Sequence, residues 1–220
     1  MKVCAIVPFY NEQRFIAGVV RDTLRFVTEV IAIDDGSTDG GNSELEGIHG
    51  VELLSHPHNL GKGAALRTGF ERALKRGYDA VVTIDGDKQH PAEKIPEFIA
   101  GLQSFDVVIG RREFKLGVMP PHRILSNKIS SLLLSLKTGT RFLDSQSGFR
   151  GFRASILPGI LPIEAGFVAE TEMLIRAARI SASFGWVTIP TIYGEEKSKM
   201  KNTETTIKFV KSILKPLREY

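Results

Sequence analysis

Two aspartates one residue apart, Asp85 and Asp87, flank Gly86 directly after the β-branched run Ala80–Ile84. Mg²⁺ and Mn²⁺ take oxygen ligands and keep several water positions, so two carboxylates on one turn can share such an ion. Gly86 lets the backbone come close to a ligand. A divalent ion there would neutralise a diphosphate and stabilise the charge on it as it leaves. An Asp-Gly turn with solvated carboxylates is the other reading of the same three residues.

A second acidic cluster, Asp34-Asp35-Gly36-Ser37-Thr38-Asp39, follows another short apolar run. Asp and Ser suit an Asx turn or a helix N-cap there. In the functional reading, one carboxylate accepts hydrogen bonds from a nucleobase N–H or a ribose hydroxyl. In Asn59-Leu60-Gly61-Lys62-Gly63 a lysine between glycines opens a helix, where it can meet phosphate or ribose. The spacing is not that of a P-loop, and no Gly-x-Gly-x-x-Gly follows the first strand. His49, His56, His58, His90 and His122 show no metal-cluster spacing and read as surface or turn residues, with His90 set apart because it adjoins Asp85–Gln89. Ser145 and Ser147 lack a Gly-x-Ser-x-Gly elbow, which argues against a serine hydrolase.

The elements that must position these clusters alternate. Strands are expected at Val3–Val7, Val30–Ile33, Gly47–Leu54, Ala80–Ile84 and Asp106–Gly110. Helices are expected at Glu12–Val27, Gly61–Arg76 and Pro91–Gln103. Strand–helix alternation implies parallel strands with right-handed crossovers. Ligands then gather beyond the carboxyl ends of the strands. Pro8–Glu12, Asp34–Asp39 and Asp85–Gln89 all follow strand ends and should converge on one crevice. In the second half, Lys115–Arg123 reads as a loop and Asp144–Arg153 as a polar, glycine-bearing segment. Ile124–Leu136 reads as a helix with Leu125, Ile129, Leu132, Leu133 and Leu136 at helical spacing, and Ser126, Asn127, Ser130 and Ser131 on the other side. Glu170–Ile180 reads as a helix and Trp186–Ile192 as a strand.

The 220 residues suffice for one sizeable core. The lone Cys4 excludes an intrachain disulfide and, inside an apolar run, should be a buried inert thiol. No stretch approaches the ~20 apolar residues of a bilayer span, and Pro8 and Asn11-Glu12 end the first apolar run too early for a secretory signal. The protein is expected in the cytoplasm. The net charge of +4 lies in the tail: residues 197–220 hold seven Lys/Arg and two Glu, which leaves the remainder at −1. A nearly neutral body argues against a nucleic-acid surface.

The ordered set resembles the family 2 glycosyltransferases. It comprises Val7-Pro8-Phe9-Tyr10-Asn11-Glu12, Asp34–Asp39, Asn59-Leu60-Gly61-Lys62-Gly63-Ala64-Ala65 and Asp85-Gly86-Asp87-Lys88-Gln89-His90-Pro91. Within that family, Asp144-Ser145-Gln146-Ser147-Gly148-Phe149-Arg150 looks most like the polyprenyl-phosphate (dolichyl-phosphate) mannose and glucose synthases. The resemblance implies an α/β GT-A (nucleotide-diphospho-sugar transferase) fold, with a mostly parallel sheet flanked by helices over residues 1–202. It also implies transfer of a hexose, with inversion, from a UDP- or GDP-sugar. Pro8, Tyr10, Glu12 and Asp35 would surround the nucleobase and ribose, with Lys62 and Gly86 also on the donor side. Asp85, Asp87 and Gln89 would hold Mg²⁺ or Mn²⁺ and the diphosphate. Arg112, Arg123 and Ser126 would meet the acceptor phosphate, and Asp144 and Gln146 would line the sugar site. Asp87, Arg112, Arg123 and Asp144 carry catalysis in this reading.

Two departures stand out. Where the synthases often place an arginine before a Ser-Lys pair, this chain has Lys197-Ser198-Lys199, a point charge without a planar fork. Many relatives also add C-terminal transmembrane helices. A hydroxyl acceptor is the alternative; it would need a base, with Asp144 as candidate. A non-catalytic nucleotide-sugar-binding protein is disfavoured by the intact Asp85/Asp87 pair. A nucleotidyltransferase is disfavoured because Pro8–Glu12 holds neither glycine nor Lys/Arg. Residues 203–220 read as a basic amphipathic helix. Ile207, Val210, Ile213, Leu214 and Leu217 are its periodic apolar positions, and Lys208, Lys211, Lys215 and Arg218 form a second row. Such a helix can lie on an anionic membrane, giving peripheral attachment at its inner face, or pack on the body.

Overall fold

The computed structural model describes residues 1–113, 119–166, 168–192 and 202–220; in the last span the side chains of residues 202–206, 208 and 218 are not described. A seven-stranded sheet comprises β1 (Val3–Phe9), β2 (Val30–Asp34), β3 (Val51–Ser55), β4 (Ala80–Thr83), β5 (Val107–Arg112), β6 (Arg150–Arg153) and β7 (Phe184–Ile189). Their spatial order is β3-β2-β1-β4-β6-β5-β7. Strands β1 to β4 are mutually parallel, β5 is parallel to β7, and β6 runs antiparallel to both β4 and β5.

Helices α1 (Gln13–Leu24) and α3 (Ile95–Gly101) cover one face. Helices α2 (Lys62–Lys75), α4 (Pro121–Thr138), α5 (Leu157–Ile160) and α6 (Ala169–Arg179) cover the other, and α7 (Asn202–Leu214) packs against α4 and α6. The period of two in β1 builds both layers. Val3, Ala5 and Val7 pack with Ile16, Val19 and Phe98, while Cys4 and Ile6 pack with Leu66, Phe70 and Phe152. Every residue of β1 and β2 is buried, as expected of central parallel strands. Cys4 is fully buried, and burial pushes its thiol up to about 12, so it is inert at neutral pH.

Several elements differ from the sequence reading. Strand β6 lies inside the segment read only as polar. Of its four residues Phe152 is the one large apolar side chain, with arginines at both ends, so no alternation marks it. Strand β7 begins two residues early, where Ser183 donates from its backbone N–H and its hydroxyl to Asp106, and it ends before Pro190. The expected helix over 91–103 divides into a 3₁₀ turn at Ala92–Lys94 and the shorter α3.

The orientation of α4 is the largest difference. An apolar stripe ordinarily faces the core, yet Asn127, Ser130, Ser131 and Leu134 are buried here while Leu125, Ile129, Leu132 and Leu136 are exposed. In α7, Ile213 packs inward and Ser212 is buried, as is Tyr220 beyond the helix, whereas Ile207, Val210 and Leu214 face outward. Lys197-Ser198-Lys199 and the side chains of Lys208 and Arg218 lie outside the described residues. Among the described residues no helix is long and apolar enough to cross a membrane.

Candidate active site

Strands β1 and β4 are neighbours, while the chain leaves β1 toward β2 and β3 on one side and continues from β4 toward β6 on the other. This reversal opens a crevice at the carboxyl edge of the sheet. Asn11, in the left-handed region at φ 53°, turns the chain from β1 toward α1. Its N–H donates to Ser37 Oγ at 2.9 Å, and its side-chain oxygen accepts from Thr38 N at 2.8 Å. Gln13 N at the start of α1 donates to Asp39 at 2.8 Å. The loops after β1 and β2 are thereby fastened together, which brings Pro8, Tyr10 and Glu12 beside Asp35.

Asp35 is buried at the centre of this loop group. Oδ1 accepts from Leu60 N at 3.0 Å and from His56 Nδ1 at 2.7 Å, and Oδ2 accepts from Gly61 N at 2.8 Å. The other His56 ring nitrogen meets Thr68 Oγ1 at 3.0 Å. Asp35 therefore fastens the 56–61 loop to the end of β2. His56 is part of that fastening, which corrects its reading as a surface histidine. Gly61, at φ 95°, and Gly63 permit the close approach of α2 to Glu164, Ala165 and Ala169; a Cβ on Gly63 would overlap Glu164 O.

Asp85 and Asp87 occupy the turn after β4. A Cβ on Gly86 would lie 2.9 Å from Phe9 Cβ, so glycine lets this turn press against the end of β1. Lys62 does not point into open solvent. Its Nζ lies 2.7 Å from Asp85 and 3.2 Å from Glu170. Burial alone would lower the Lys62 pKa, but the two carboxylates outweigh it and hold the ammonium charged. Burial would raise Asp85, but the Lys62 charge more than reverses this and keeps it ionised. His90 is buried and stacks on Phe149 with centroids 5.3 Å apart. Its Nδ1 accepts from Asp85 N at 3.1 Å, and burial lowers its pKa, so it is a neutral ring with its proton on Nε2. Asp87 accepts from Gln89 N at 3.0 Å but has no cation within ion-pair distance among the described residues. Burial, reinforced by the neighbouring Asp85 charge, raises it to about 6.

The turn suits a divalent ion because it holds two carboxylates, one already ionised and the other held back from ionising by burial and its neighbour's charge. Among the described residues no group of three or more His, Cys, Asp or Glu side chains forms a metal cage. An ion there would complete its shell with water and substrate oxygen.

Strand β6 brings in the rest of the site. Because it runs antiparallel, its first residue, Arg150, pairs with Thr83 of β4 and Ile109 of β5. The preceding residues 144–149 thus arrive at the carboxyl edge. A Cβ on Gly148 would lie 2.7 Å from Asp85 Oδ2 and 3.0 Å from Lys62 Nζ. Fully buried Asp144 accepts from Arg112 Nε at 2.8 Å, Arg112 Nη2 at 2.9 Å and Asn127 Nδ2 at 2.8 Å. It also accepts from the backbone N–H groups of Arg112 and Gln146, each at 3.2 Å. Burial would raise its pKa, but the Arg112 fork and Asn127 hold it below the ordinary carboxylate range. A carboxylate so engaged with donors is poorly placed to take up a proton from an acceptor hydroxyl. Gln146 donates to Ser130 Oγ at 3.0 Å. Ser131 Oγ contacts Asn127 Oδ1 at 3.3 Å and Ser145 Oγ at 3.1 Å. These bonds explain why the polar side of α4 faces inward. Arg123 lies one turn before Asn127, on the side of α4 that meets Asp144, while Ser126 is exposed.

Two further residues belong here. Fully buried Arg150 donates to the carbonyls of Ser147, Ser145 and Glu170 at 2.7, 2.9 and 2.8 Å, fixing the 145–148 loop against α6. Glu170, in the first turn of α6, adds a third carboxylate beside Lys62 and Asp85. In sequence, Glu170 is one acidic residue among several opening a helix, and nothing local marks it.

Comparison with known proteins agrees with this geometry. Residues 4–161 match the family model described as Glycosyl transferase family 2. The chain is 30% identical over 210 residues to the undecaprenyl-phosphate mannosyltransferase of Micrococcus luteus, covering 90% of this chain and 85% of that one. It is 33% identical over 230 residues to the UDP-N-acetylglucosamine–dolichyl-phosphate N-acetylglucosaminyltransferase of Methanococcus voltae, covering 93% and 90%. Among solved structures, it is similar to glucosyl-3-phosphoglycerate synthase of Mycobacterium tuberculosis in complex with Mn²⁺ and UDP-glucose, with TM-score 0.77 and 21% identity over 96% of this chain and 78% of that one. A parallel sheet reversing at β1 and β4, with an Asp-Gly-Asp turn at the reversal, is thus the GT-A scaffold, and the chain belongs to the family 2 glycosyltransferases.

Proposed function

We propose that this enzyme transfers a hexose from a UDP- or GDP-sugar, with inversion, to a polyprenyl phosphate of the dolichyl type, and needs Mg²⁺ or Mn²⁺. The observation that carries the reading is the placement of two differently charged regions at one sheet edge. The acidic Asp85–Asp87 turn lies on one side of residues 144–149, and Arg112 and Arg123 lie on the other. The names of the Micrococcus and Methanococcus relatives support the acceptor class.

In this reading the loops fastened through Asn11, Ser37 and Asp35 form the base and ribose site, with Pro8, Tyr10 and Glu12 at its wall. Asp35 acts by holding the 56–61 loop. Asp87 and Asp85, with Gln89 beside them, would hold the divalent ion, which supplies charge neutralisation to the departing diphosphate. Lys62 and Glu170 hold Asp85 in place. Arg112, its fork set by Asp144, and Arg123 orient the acceptor phosphate, with Ser126 at the rim and Gln146 beside the sugar. A phosphate acceptor is already anionic, so no base is required and positioning dominates. The saturation of Asp144 favours this acceptor over a hydroxyl.

The test is a transfer assay with a panel of UDP- and GDP-sugars, Mn²⁺, and a short-chain polyprenyl phosphate. Product should form with one donor class and vanish in excess chelator. Donor turnover that never labels a polyprenyl phosphate, but does label a soluble hydroxyl acceptor, overturns the acceptor assignment.

A further inference from the structure

Helix α4 has its polar side toward the protein and its apolar side toward solvent. Leu125, Ile129, Leu132 and Leu136 are 59%, 48%, 59% and 73% exposed. Their spacing of four, three and four residues makes one continuous stripe, about 16 Å long at the rise of an α-helix. Helix α7 touches α4, with Lys137 of α4 donating to the carbonyls of Ile213, at 3.0 Å, and Lys215. Ile207, Val210 and Leu214 of α7 and the following Leu217 are exposed as well. Eight of the fourteen exposed large apolar side chains among the described residues therefore sit on these two adjoining segments. A concentration of that kind on a water-facing surface marks an interaction site.

The charge around the stripe selects the occupant. Between residues 114 and 143 the sequence holds five Lys/Arg and no Asp or Glu. Lys128 and Arg141 are exposed beside the stripe, as are Lys211 of α7 and Lys215 just after it, with Glu219 as an exposed acid near the chain end. A second copy of the chain would set this basic rim against another basic rim. An anionic lipid surface would neutralise it while burying the leucines, and each cation near such a surface strengthens binding about fivefold. We infer that the outward face of α4, flanked by α7, is the surface on which this enzyme rests on an anionic bilayer. Its inward face carries Asn127, which bonds the Asp144 that holds Arg112. One helix thickness, about 10 Å, then separates the lipid surface from the arginine assigned to the acceptor phosphate. The inference rests on the polyprenyl-phosphate reading for its purpose, and the experiment keeps the two apart.

Full-length protein is floated with phosphatidylcholine vesicles, with and without phosphatidylglycerol, at low and high salt. Parent and a Leu132→Asp/Leu136→Asp variant are compared, with the fold of each checked by circular dichroism. The parent should float with the anionic vesicles at low salt. The variant should bind at least about tenfold more weakly, since two leucines no longer enter the lipid. Transfer to a short, water-soluble polyprenyl phosphate should be unchanged in the variant. A parent that stays in solution, or a folded variant that floats as well as the parent, overturns the inference. So does a parent that sediments as a dimer which the variant dissociates. If vesicle binding follows the expected pattern but no polyprenyl phosphate accepts sugar, the acceptor reading fails and the surface stands.

Discussion

Replacing Asp144 by asparagine separates two roles that a carboxylate at this position can have. The side chain keeps its shape, but its charge disappears and one acceptor oxygen becomes a donor facing Arg112 or Asn127. The Arg112 fork, now at 2.8 and 2.9 Å from the carboxylate, loses the Asp144 charge in a site where Asp144 is fully buried. Breaking one side of a buried pair costs about 3–5 kcal/mol. The Arg112 side chain is 22% exposed, so water recovers part of this, and about 2–4 kcal/mol is expected. For a chain of this size each kcal/mol moves Tm by about 2–4 °C, so the variant should melt roughly 4–16 °C lower. Because the Asp144 pKa is held low in the folded protein, this contribution is present above the ordinary carboxylate range and lost as pH falls through the folded value. Differential scanning fluorimetry across pH should therefore show the parent and variant converging in acid. With Arg112 no longer oriented, the acceptor KM should rise while nucleotide affinity stays unchanged. Activity lost with Tm and acceptor KM intact would identify Asp144 as a proton acceptor and refute the argument from its saturation.

Other expectations follow from the same geometry. Asp87→Ala should abolish transfer without unfolding the protein, and turnover by that variant would remove the turn from the metal site. The raised Asp87 pKa means that the folded chain holds this proton more tightly than the unfolded one, so between its ordinary value and about 6 stability falls as pH rises. The gain in Tm on adding Mn²⁺ with nucleoside diphosphate should accordingly shrink below about pH 6; a gain independent of pH would place the cation elsewhere. Asp35→Ala frees the 56–61 loop, and calorimetry should show weaker nucleotide binding together with a lower Tm; unchanged affinity would move the loop out of the donor site. Arg123→Ala should raise the acceptor KM or lower kcat with donor affinity unchanged, and a change confined to donor binding would move Arg123 to the other side of the crevice.

The first half of the fold was legible because it obeys local rules. Runs such as Val3–Val7 and Ala80–Ile84 are buried parallel strands, and the polar clusters after them meet because parallel strands end on one edge. The order of those clusters also carried the family. Legibility failed where a residue's environment comes from distant chain. Strand β6 has no alternation of its own; it exists because β4 and β5 offer edges on both sides of it. His56 looked like a turn residue until Asp35 and Thr68 enclosed it, and Glu170 became a site residue only when Lys62 reached it from α2.

Helix α4 shows how such a failure can itself carry information. A stripe of leucines opposite a row of serines and an asparagine predicts burial of the leucines, because apolar burial ordinarily outweighs other terms. Here the helix turns Asn127 inward, where it donates to Asp144, and Ser130 and Ser131 on the same side bond Gln146 and Ser145. Asn127, Ser130 and Ser131 each reach a partner on the Asp144–Gln146 segment or on α4 itself, so all three are used. The exposed leucines then remain as apolar surface that the free chain leaves in water. A sequence that keeps four of them in register, with no acid between residues 114 and 143, has its two faces specified for two environments: a polar, charge-matched interior toward Arg112, and an apolar, cationic exterior suited to lipid.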